Sequence, residues 1–326
     1  MTFTKTAFLP VPPDDAFALL TEPERLRRWQ TVSAVVDLRA GGAYRWTVTP
    51  GHVAAGTYRE VEPGRRIVFG WGWEGSDDLP PDASTVTVTV EPADGGSLVT
   101  LVHEGLTGEQ AASHAEGWNH YVERLERLAV KGDAGPDEWA YAPQDLTPIT
   151  AAEASLAVLQ PVLRNLTADD RPKPTPCSEF TCHDLAEHLF GSLTGLGRMA
   201  GATVVDPQQG TLENRVSVMT AQVIDAWRTV DPTGTVPGPG GAELPASFAA
   251  SILPLELLLH GWDLAQGSGQ RLHVSDELVA YVRSLAETVV PAVRGGGSFA
   301  DEVLPAEGAG PVDRLAAFAG RTPIAA

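Results

Sequence analysis

The pattern of apolar and polar positions changes about 130 residues into the chain. Before that point, short runs of alternating character are separated by turn residues such as Gly41-Gly42 and Pro63-Gly64. Alternation with period two is typical of strands that bury one face, so the pattern predicts an antiparallel sheet. The predicted strands span residues 4–9, 32–38, 43–49, 53–61, 65–73, 84–90 and 97–103.

Helical spacing interrupts this meander twice and closes it. Short helices are predicted over 16–20 and 23–29, and a long amphipathic helix over 107–130, where Trp118, Tyr121, Leu125 and Leu128 recur at helical intervals. A strand, two short helices, six strands and a long helix is the order of elements in a helix-grip fold. The first half is therefore predicted to be an α+β domain over residues 1–131.

The apolar pattern of the second half predicts helices throughout. Apolar residues at helical spacing predict long helices over 151–166, 182–200, 212–230, 245–265 and 275–293, with a short helix over 311–321. The connections allow antiparallel neighbours, which favours an all-α four-helix bundle with additions over residues 148–326. The segment 132–147, with glycine, two prolines and several acids, is predicted to be a linker or a strap across one domain.

Length, net charge and the distribution of apolar residues limit which partners and which cellular compartment are expected. A chain of 326 residues is long enough for two domains, and its net charge of −19 argues against nucleic acid and anionic membranes as partners. The sequence lacks an uninterrupted apolar segment of about 20 residues and an apolar signal core near Met1, so a cytoplasmic location is expected. Two cysteines, Cys177 and Cys182, are too few for a disulfide framework, and we interpret them as structural.

Candidate chemistry is concentrated in residues 253–265. Glu256, His260 and Asp263 are spaced so that they share one face of a helix whose other side chains are aliphatic. Burying unpaired charge costs several kcal/mol, and a divalent metal is a partner that would relieve it. The alternative is a surface helix with a salt-bridged glutamate.

A second helix offers a further ligand. His188 lies among Leu185, Leu189 and Phe190 on an apolar helical face, where a lone histidine is more often a core residue than a ligand. Paired with Glu256 and His260 across a bundle, it completes two imidazoles and one carboxylate, the donor set of an open, catalytic zinc site. Zn²⁺ is the first candidate, and Fe²⁺, Ni²⁺ and Mn²⁺ accept the same donors.

The first half resembles the SRPBCC (START-like) superfamily, in the branch of the heat-shock ATPase activator homologues. The motifs that carry this resemblance are LTEP at 20–23, GGAYRW at 41–46, EVEP at 60–63, IVFGW at 67–71 and LVHEGL at 101–106. The resemblance implies a cavity for a hydrophobic small molecule between the long helix and the sheet. Four tryptophans either line such a cavity or form plain core: Trp46, Trp71, Trp73 and Trp118. His103 and His114 have no metal-like spacing, and we interpret them as structural or solvent-facing.

The second half resembles the DinB-like bundle, in the branch of the mycothiol-dependent maleylpyruvate isomerase N-terminal domain. The motifs are TPCSEF at 175–180, DLAEHL at 184–189, ELLLHGWDLA at 256–265, DRL at 313–315 and GRTP at 320–323. The family's metal triad falls on His188, Glu256 and His260, and the resemblance implies a low-molecular-weight thiol as cosubstrate.

Three further residues near this triad have candidate roles. Asp263 and Asp184 are candidates for second-shell acceptors that orient the imidazoles, although each could equally cap a helix or be a surface acid. Arg321 could bind a carboxylate, but we interpret it as part of a surface salt bridge.

Two functions are compatible with these features. The first is a metal- and thiol-dependent transferase or isomerase that acts on a hydrophobic molecule held by the START-like domain. The second is a non-catalytic protein that binds or sequesters a small molecule such as a natural product and has a structural metal. A chaperone-type role, by analogy with the ATPase activators, rests on fold resemblance alone.

Overall fold

A computed structural model describes residues 1–295 and 298–324 of the chain. The chain forms two compact units that separate between Asp137 and Glu138. This position falls inside the segment 132–147 that the sequence predicts as a linker, and a short helix, α4 (Glu138–Tyr141), occupies part of that segment. The mixed α+β class with a large antiparallel sheet is confirmed.

The first unit is a sheet with three helices. Its strands, in chain order, are β1 (Phe3–Leu9), β2 (Ser33–Val36), β3 (Ala43–Thr49), β4 (His52–Glu62), β5 (Arg66–Trp71), β6 (Ser84–Ala93) and β7 (Gly96–Glu104). Its helices are α1 (Pro13–Thr21), α2 (Pro23–Leu26) and α3 (Gly108–Lys131). The seven strands pair antiparallel in the order β1-β7-β6-β5-β4-β3-β2, so the last strand lies beside the first.

Alternation along the strands determines which face of the sheet is covered. In β6, Val86, Val88 and Val90 are buried while the intervening threonines are partly exposed. Helix α3 begins with a capping box between Thr107 and Gln110, and buries Trp118, Tyr121, Val122, Leu125 and Leu128 in the core that the sheet also lines. One layer of helix on one face of a sheet is the arrangement that the sequence predicts for this half.

The four candidate cavity tryptophans lie in this core. The indole rings of Trp46, Trp73 and Trp118 surround Trp71, with ring centroids 6.2, 5.4 and 5.1 Å from it. Trp46, Trp71 and Trp118 are buried, while Trp73 is half-buried. Their contacts are those of core residues, and the ligand cavity stays a prediction.

Two histidines, the buried His103 and the half-buried His114, accept hydrogen bonds from three of these indoles. His114 Nε2 accepts from Trp71 Nε1 and Trp73 Nε1 at 3.2 and 3.3 Å. His103 Nδ1 accepts from Trp118 Nε1 at 3.0 Å, and its Nε2 lies 2.8 Å from Ser84 Oγ, whose own proton goes to a backbone carbonyl. An indole N–H can only donate, so each imidazole must keep an unprotonated nitrogen facing it. Burial and the neighbouring His114 accordingly lower the pKa of His103 to about 3.

The second unit contains the remaining helices and a small hairpin. The helices beyond α4 are α5 (Pro148–Asn165), α6 (Cys182–Met199), α7 (Leu212–Trp227), α8 (Ala246–Ala250), α9 (Ile252–Ser268), α10 (Asp276–Arg294) and α11 (Pro311–Phe318). The hairpin pairs β8 (Thr235–Pro237) with β9 (Glu243–Pro245), within a stretch predicted as loop. Helices α5, α9, α6 and α7 pack in a closed ring, each against two others, and α10 packs outside α5 and α9.

The helix ends lie within three residues of their predicted positions, and two differences from the prediction have a clear cause in the sequence. The helix predicted over 245–265 is broken at Ser251 into α8 and α9, because Pro254 lacks an N–H and its ring would clash with the carbonyl of Ala250. Helix α5 begins three residues earlier than predicted: Thr147, whose hydroxyl accepts from the Thr150 backbone N–H, is the N-cap, and Pro148 follows.

One helical stretch among the described residues, Ala246–Ser268, is long and apolar enough by composition to cross a membrane. Most of it is buried inside the second unit, as expected for a core helix. The apolar sequence of this stretch is interrupted by Glu256, His260 and Asp263, so it is not the uninterrupted apolar segment that a membrane span would need.

The buried imidazole of His103 predicts acid destabilisation of the first unit. The pKa of His103 is lower in the folded protein than the roughly 6.5 of an unfolded chain. The contribution of neutral His103 to the stability of the first unit is therefore fully present above pH ~6.5 and is lost as the pH falls toward ~3. The loss should be about 1.4 kcal/mol per pH unit, or roughly 2 kcal/mol at pH 5. Urea unfolding at pH 7 and pH 5, monitored through the hydrogen exchange of backbone amides in β6 and β7, measures this loss of stability.

A matched pair of variants isolates this residue. His103→Gln can still donate to Ser84 and accept from Trp118 without titrating, so its stability should vary less with pH. His52→Gln, at an exposed position of β4, should behave like wild type. If the stability of wild type and both variants depended equally on pH, the attribution of the acid destabilisation to His103 would be contradicted.

Candidate metal centre

Helix α9 is apolar on nearly all sides, because it packs against α5, α6, α10 and α11. Its few polar side chains therefore point into the protein. The side chains of Glu256, His260 and Asp263 are 19%, 5% and 0% exposed. The alternative of a surface helix is wrong, and the buried charges need partners.

The structure brings the predicted triad together. Glu256 Oε2 lies 3.3 Å from His260 Nε2, one turn along α9, and 3.7 Å from His188 Nε2, which α6 supplies. One ligand atom from each of the three residues lies within 4.8 Å of the other two. The two imidazoles meet edge to face with ring centroids 5.2 Å apart. This spacing suits three donors around one cation, and binding itself stays a prediction.

Glu256 supplies the observation that distinguishes this cluster from an ordinary ion pair. Its Oε2 atom is buried and has no hydrogen-bond partner among the described residues, although two imidazole nitrogens are within 4 Å. A buried acceptor without a partner is uncommon and calls for a ligand or ion. Burial disfavours the charge of this carboxylate, but the two imidazoles outweigh it and lower the pKa of Glu256.

Asp263 holds the other side of His260. The His260 Nδ1–H donates to Asp263 Oδ2 at 3.1 Å, which leaves Nε2 directed toward Glu256. Burial opposes a positive imidazole here, yet the Glu256 and Asp263 carboxylates raise the pKa of His260 to about 9. A carboxylate on the far nitrogen of a metal-binding histidine fixes its tautomer and increases its basicity.

Asp263 is in turn bound by Arg321, which sequence analysis placed at the surface. The Arg321 side chain is 7% exposed, and its Nε lies 3.0 and 3.1 Å from the two carboxylate oxygens. Gly320 directs it inward: the backbone there has φ +81°, and a Cβ would meet the carbonyl oxygen of Ala300 at 2.6 Å. The surface interpretation of Arg321 is wrong because the segment after α11 folds back onto α9.

Asp184 does not take the second-shell position that sequence analysis considered for it. Its carboxylate accepts from the Thr181 backbone N–H at 3.1 Å and from the Thr181 hydroxyl at 2.6 Å, and so completes the capping box of α6. These hydrogen bonds lower the pKa of Asp184. Its alternative role, that of a helix cap, is the one the structure shows.

No sequence pattern indicates that Phe180 and Ser192 lie beside the triad, and sequence analysis interprets a third side chain there, Cys177, only as structural. Phe180 stacks on His188 with ring centroids 5.0 Å apart, and Ser192 Oγ lies 3.3 Å from His188 Nε2. Cys177, interpreted as purely structural, has its Sγ within 4.8 Å of ligand atoms of His260 and Asp263. His188 is the most exposed of the triad, with 37% of its side chain accessible, so small molecules would approach from its side.

Comparisons with known proteins agree with the fold of the first unit. Residues 10–129 match the family model of Activator of Hsp90 ATPase homolog 1-like (AHSA1-like) proteins. Among solved structures, the AHSA1-like protein from Rhizobium etli is 39% identical, with 45% of this chain and 91% of that one covered and a TM-score of 0.37. CalU16 from Micromonospora echinospora is 24% identical, with 40% and 77% covered and a TM-score of 0.34. The match of the family model to residues 10–129 identifies the first unit as an AHSA1-like, START-like domain.

A longer match exists in Mycobacterium tuberculosis. The uncharacterized protein Rv0738 is 31% identical over 183 residues, which make up 54% of this chain and 99% of Rv0738. The chain therefore belongs to the same family as Rv0738. The matched share is longer than the first unit, Met1–Asp137, so the similarity includes part of the second.

The contact between Asp263 and His260 predicts a specific loss of metal affinity. Asp263→Asn removes the charge that supports the imidazole, and such substitutions typically weaken metal binding about 10–100-fold. Asp184→Asn is the matched control, since that residue caps α6 and should leave affinity within about twofold. Competition with a chromogenic chelator measures both, after circular dichroism has shown both variants to be folded. Equal effects of the two substitutions would contradict this role for Asp263.

Proposed function

We propose that the second unit is a DinB-like, metal-dependent domain that catalyses transfer or isomerisation with a low-molecular-weight thiol of the mycothiol type. The observation that carries the proposal is the buried Glu256 Oε2, which lies between two imidazole nitrogens at 3.3 and 3.7 Å and forms no hydrogen bond among the described residues. The closed ring of α5, α9, α6 and α7 supports the DinB-like assignment, because it lets ligands from α6 and α9 meet inside.

The donor set fits a divalent cation. Two imidazole nitrogens and one carboxylate oxygen are the ligands of catalytic zinc sites that keep a position for substrate, and iron, nickel and manganese accept them as well. Such a cation would supply Lewis acidity and would deprotonate a thiol that it coordinates.

The chain's own residues supply positioning and access. Asp263, held by Arg321, keeps the Nδ1 proton of His260 in place and its Nε2 directed at Glu256. Phe180 restricts His188 on one face by stacking. The exposed part of His188 gives a small thiol a route from solvent, while the buried remainder excludes bulk water. A hydrophobic second substrate, held by the AHSA1-like unit, completes the proposal.

Metal content and thiol chemistry test this function together. The purified chain should contain about one divalent ion per molecule by elemental analysis, and should consume a thiol from a panel of small thiols in the presence of an electrophile. His188→Ala and His260→Ala should lose both the metal and the thiol reaction. The controls are His183→Ala and His273→Ala, exposed histidines of the same unit, which should keep both properties.

The two readouts have different consequences. A chain that has no affinity for any of the four candidate metals would contradict the whole proposal. A chain that binds metal without reacting with any thiol would leave the second candidate function, a binding protein with a structural metal.

That second function is favoured by one observation in the AHSA1-like unit. Trp46 Nε1 and Tyr58 OH are buried and have no hydrogen-bond partner among the described residues, while the other three indoles of the cluster donate to histidines. Two unsatisfied polar atoms inside an aromatic core would suit a hydrophobic small molecule that carries an acceptor. The unit would then store or sequester that molecule.

Fluorescence titration with an anilinonaphthalene sulfonate probe tests this alternative. Binding should be saturable, and Trp46→Phe should weaken it about 3–10-fold, the effect of one lost hydrogen bond. Trp139→Phe, at a partly exposed position in the second unit, should leave the affinity unchanged. Absence of saturable binding, or the same affinity in both variants, would count against a ligand at Trp46.

A further inference from the structure

Several hydroxyl groups in the helices of this chain bond to their own backbone. Thr194 on α6 donates to the Phe190 carbonyl at 2.8 Å, and Ser268 on α9 donates at 2.7 Å to the carbonyl four residues before it. This is the common arrangement for serine and threonine inside a helix. Ser192 on α6 differs, because its Oγ lies 3.3 Å from Nε2 of His188, one turn earlier. Its hydroxyl is thus directed at a side chain of the candidate metal centre.

The nitrogen that Ser192 contacts is the one that faces the rest of the triad. His188 Nε2 lies 3.7 Å from Glu256 Oε2, and Phe180 covers one face of the ring, so both Ser192 and Glu256 meet its edge. An imidazole nitrogen uses the same lone pair to accept a hydrogen bond and to bind a metal. The tautomer that can bind a cation at Nε2 is therefore the one that accepts the Ser192 proton. A cation on Nε2 would displace that proton, and the hydroxyl would need another acceptor nearby.

Distances and exposure place this hydroxyl beside the remaining coordination position. Two nitrogen or oxygen ligands of one tetrahedral zinc ion lie about 3.3 Å apart, and each is about 2 Å from the ion. Ser192 Oγ is as far from His188 Nε2 as another ligand would be, and hence at most roughly 5.4 Å from an ion on that nitrogen. The side chains of His188, Glu256 and His260 are 37%, 19% and 5% exposed, and Ser192 is half-buried. A ligand that enters from solvent therefore passes His188 and Ser192.

We propose that Ser192 is a specificity-determining residue, whose hydroxyl donates a hydrogen bond to the sulfur of a thiol at this position. The inference rests on the proposed function of the triad. A thiol loses its proton when it coordinates a metal, and here that proton is released to solvent. The sulfur keeps lone pairs and a negative charge, and a hydrogen bond to a charged acceptor is stronger than one between neutral groups.

A nitrogen ligand provides the contrast. Imidazole bound through one nitrogen has only an N–H left, and no lone pair in its plane that could accept from Ser192. The hydroxyl would therefore favour a sulfur ligand over an imidazole. A purely structural role of Ser192 would affect both ligands alike.

Cobalt substitution separates these two roles. Co²⁺ is added to the full-length, metal-free chain of wild type, Ser192→Ala, Ser192→Thr and Thr194→Ala. The last is the matched control, because the Thr194 hydroxyl bonds to the backbone of α6. Visible ligand-field bands show that cobalt is bound. Each protein is then titrated with ethanethiol, whose only polar atom is sulfur, and separately with imidazole. A near-ultraviolet sulfur-to-cobalt band follows the thiol, and the visible bands follow imidazole.

The expected result is a loss confined to one protein and one ligand. Ser192→Ala should bind ethanethiol about tenfold more weakly than wild type, the effect of one hydrogen bond to a charged acceptor, and should bind imidazole with unchanged affinity. Ser192→Thr, which keeps a hydroxyl, should bind both ligands within about threefold of wild type. Thr194→Ala should match wild type for both.

Other outcomes would overturn the inference in distinguishable ways. Unchanged ethanethiol affinity in Ser192→Ala, or an equal loss for thiol and imidazole, would exclude a hydrogen bond that selects sulfur. Loss of cobalt from Ser192→Ala alone would assign the residue to holding the ion instead. Failure of all four proteins to bind cobalt, or of cobalt-loaded wild type to take up ethanethiol, would contradict the proposed function itself.

Discussion

The organisation of the second unit depends on the burial of three ionisable side chains in one apolar helix. Glu256, His260 and Asp263 lie on α9, and leaving any of them unpaired in the interior would cost several kcal/mol. The surrounding elements provide partners for these buried side chains. Helix α6 presents His188 to Glu256, and the segment after α11 presents Arg321 to Asp263. A helix composed almost wholly of leucines would pack as well, so these contacts are the specific feature of the unit.

Histidine behaves oppositely in the two units, and the difference lies in its neighbours. His103 faces an indole N–H, which can only donate, and burial keeps it neutral down to low pH. His260 faces two carboxylates, which can only accept, and its pKa rises although this residue is buried too. Burial alone therefore does not set the charge of an interior imidazole. The hydrogen-bonding character of its partners does.

Sequence periodicity predicts much of the fold and part of the candidate site. Alternating valines predict a strand such as β6, and the spacing of Glu256 and His260 predicts a shared helical face. Asp184 could have been assigned better, because Thr181 three residues before it is the pattern of a capping box. The inward position of Arg321 was not predictable, since it depends on how a loop-connected segment 58 residues beyond Asp263 folds back. The histidine–indole pairs likewise depend on how closely α3 approaches the sheet, which no local pattern encodes.

The reach of Arg321 back to Asp263 has a consequence for the order of events during biosynthesis. The triad residues emerge from the ribosome early relative to this arginine, and α9 can begin to pack before Asp263 has its counter-charge. Until position 321 has been translated, His260 is backed by a carboxylate without its cationic partner. The pairing of Asp263 with Arg321 would therefore form only after position 321 has been synthesised, and not as α9 itself folds.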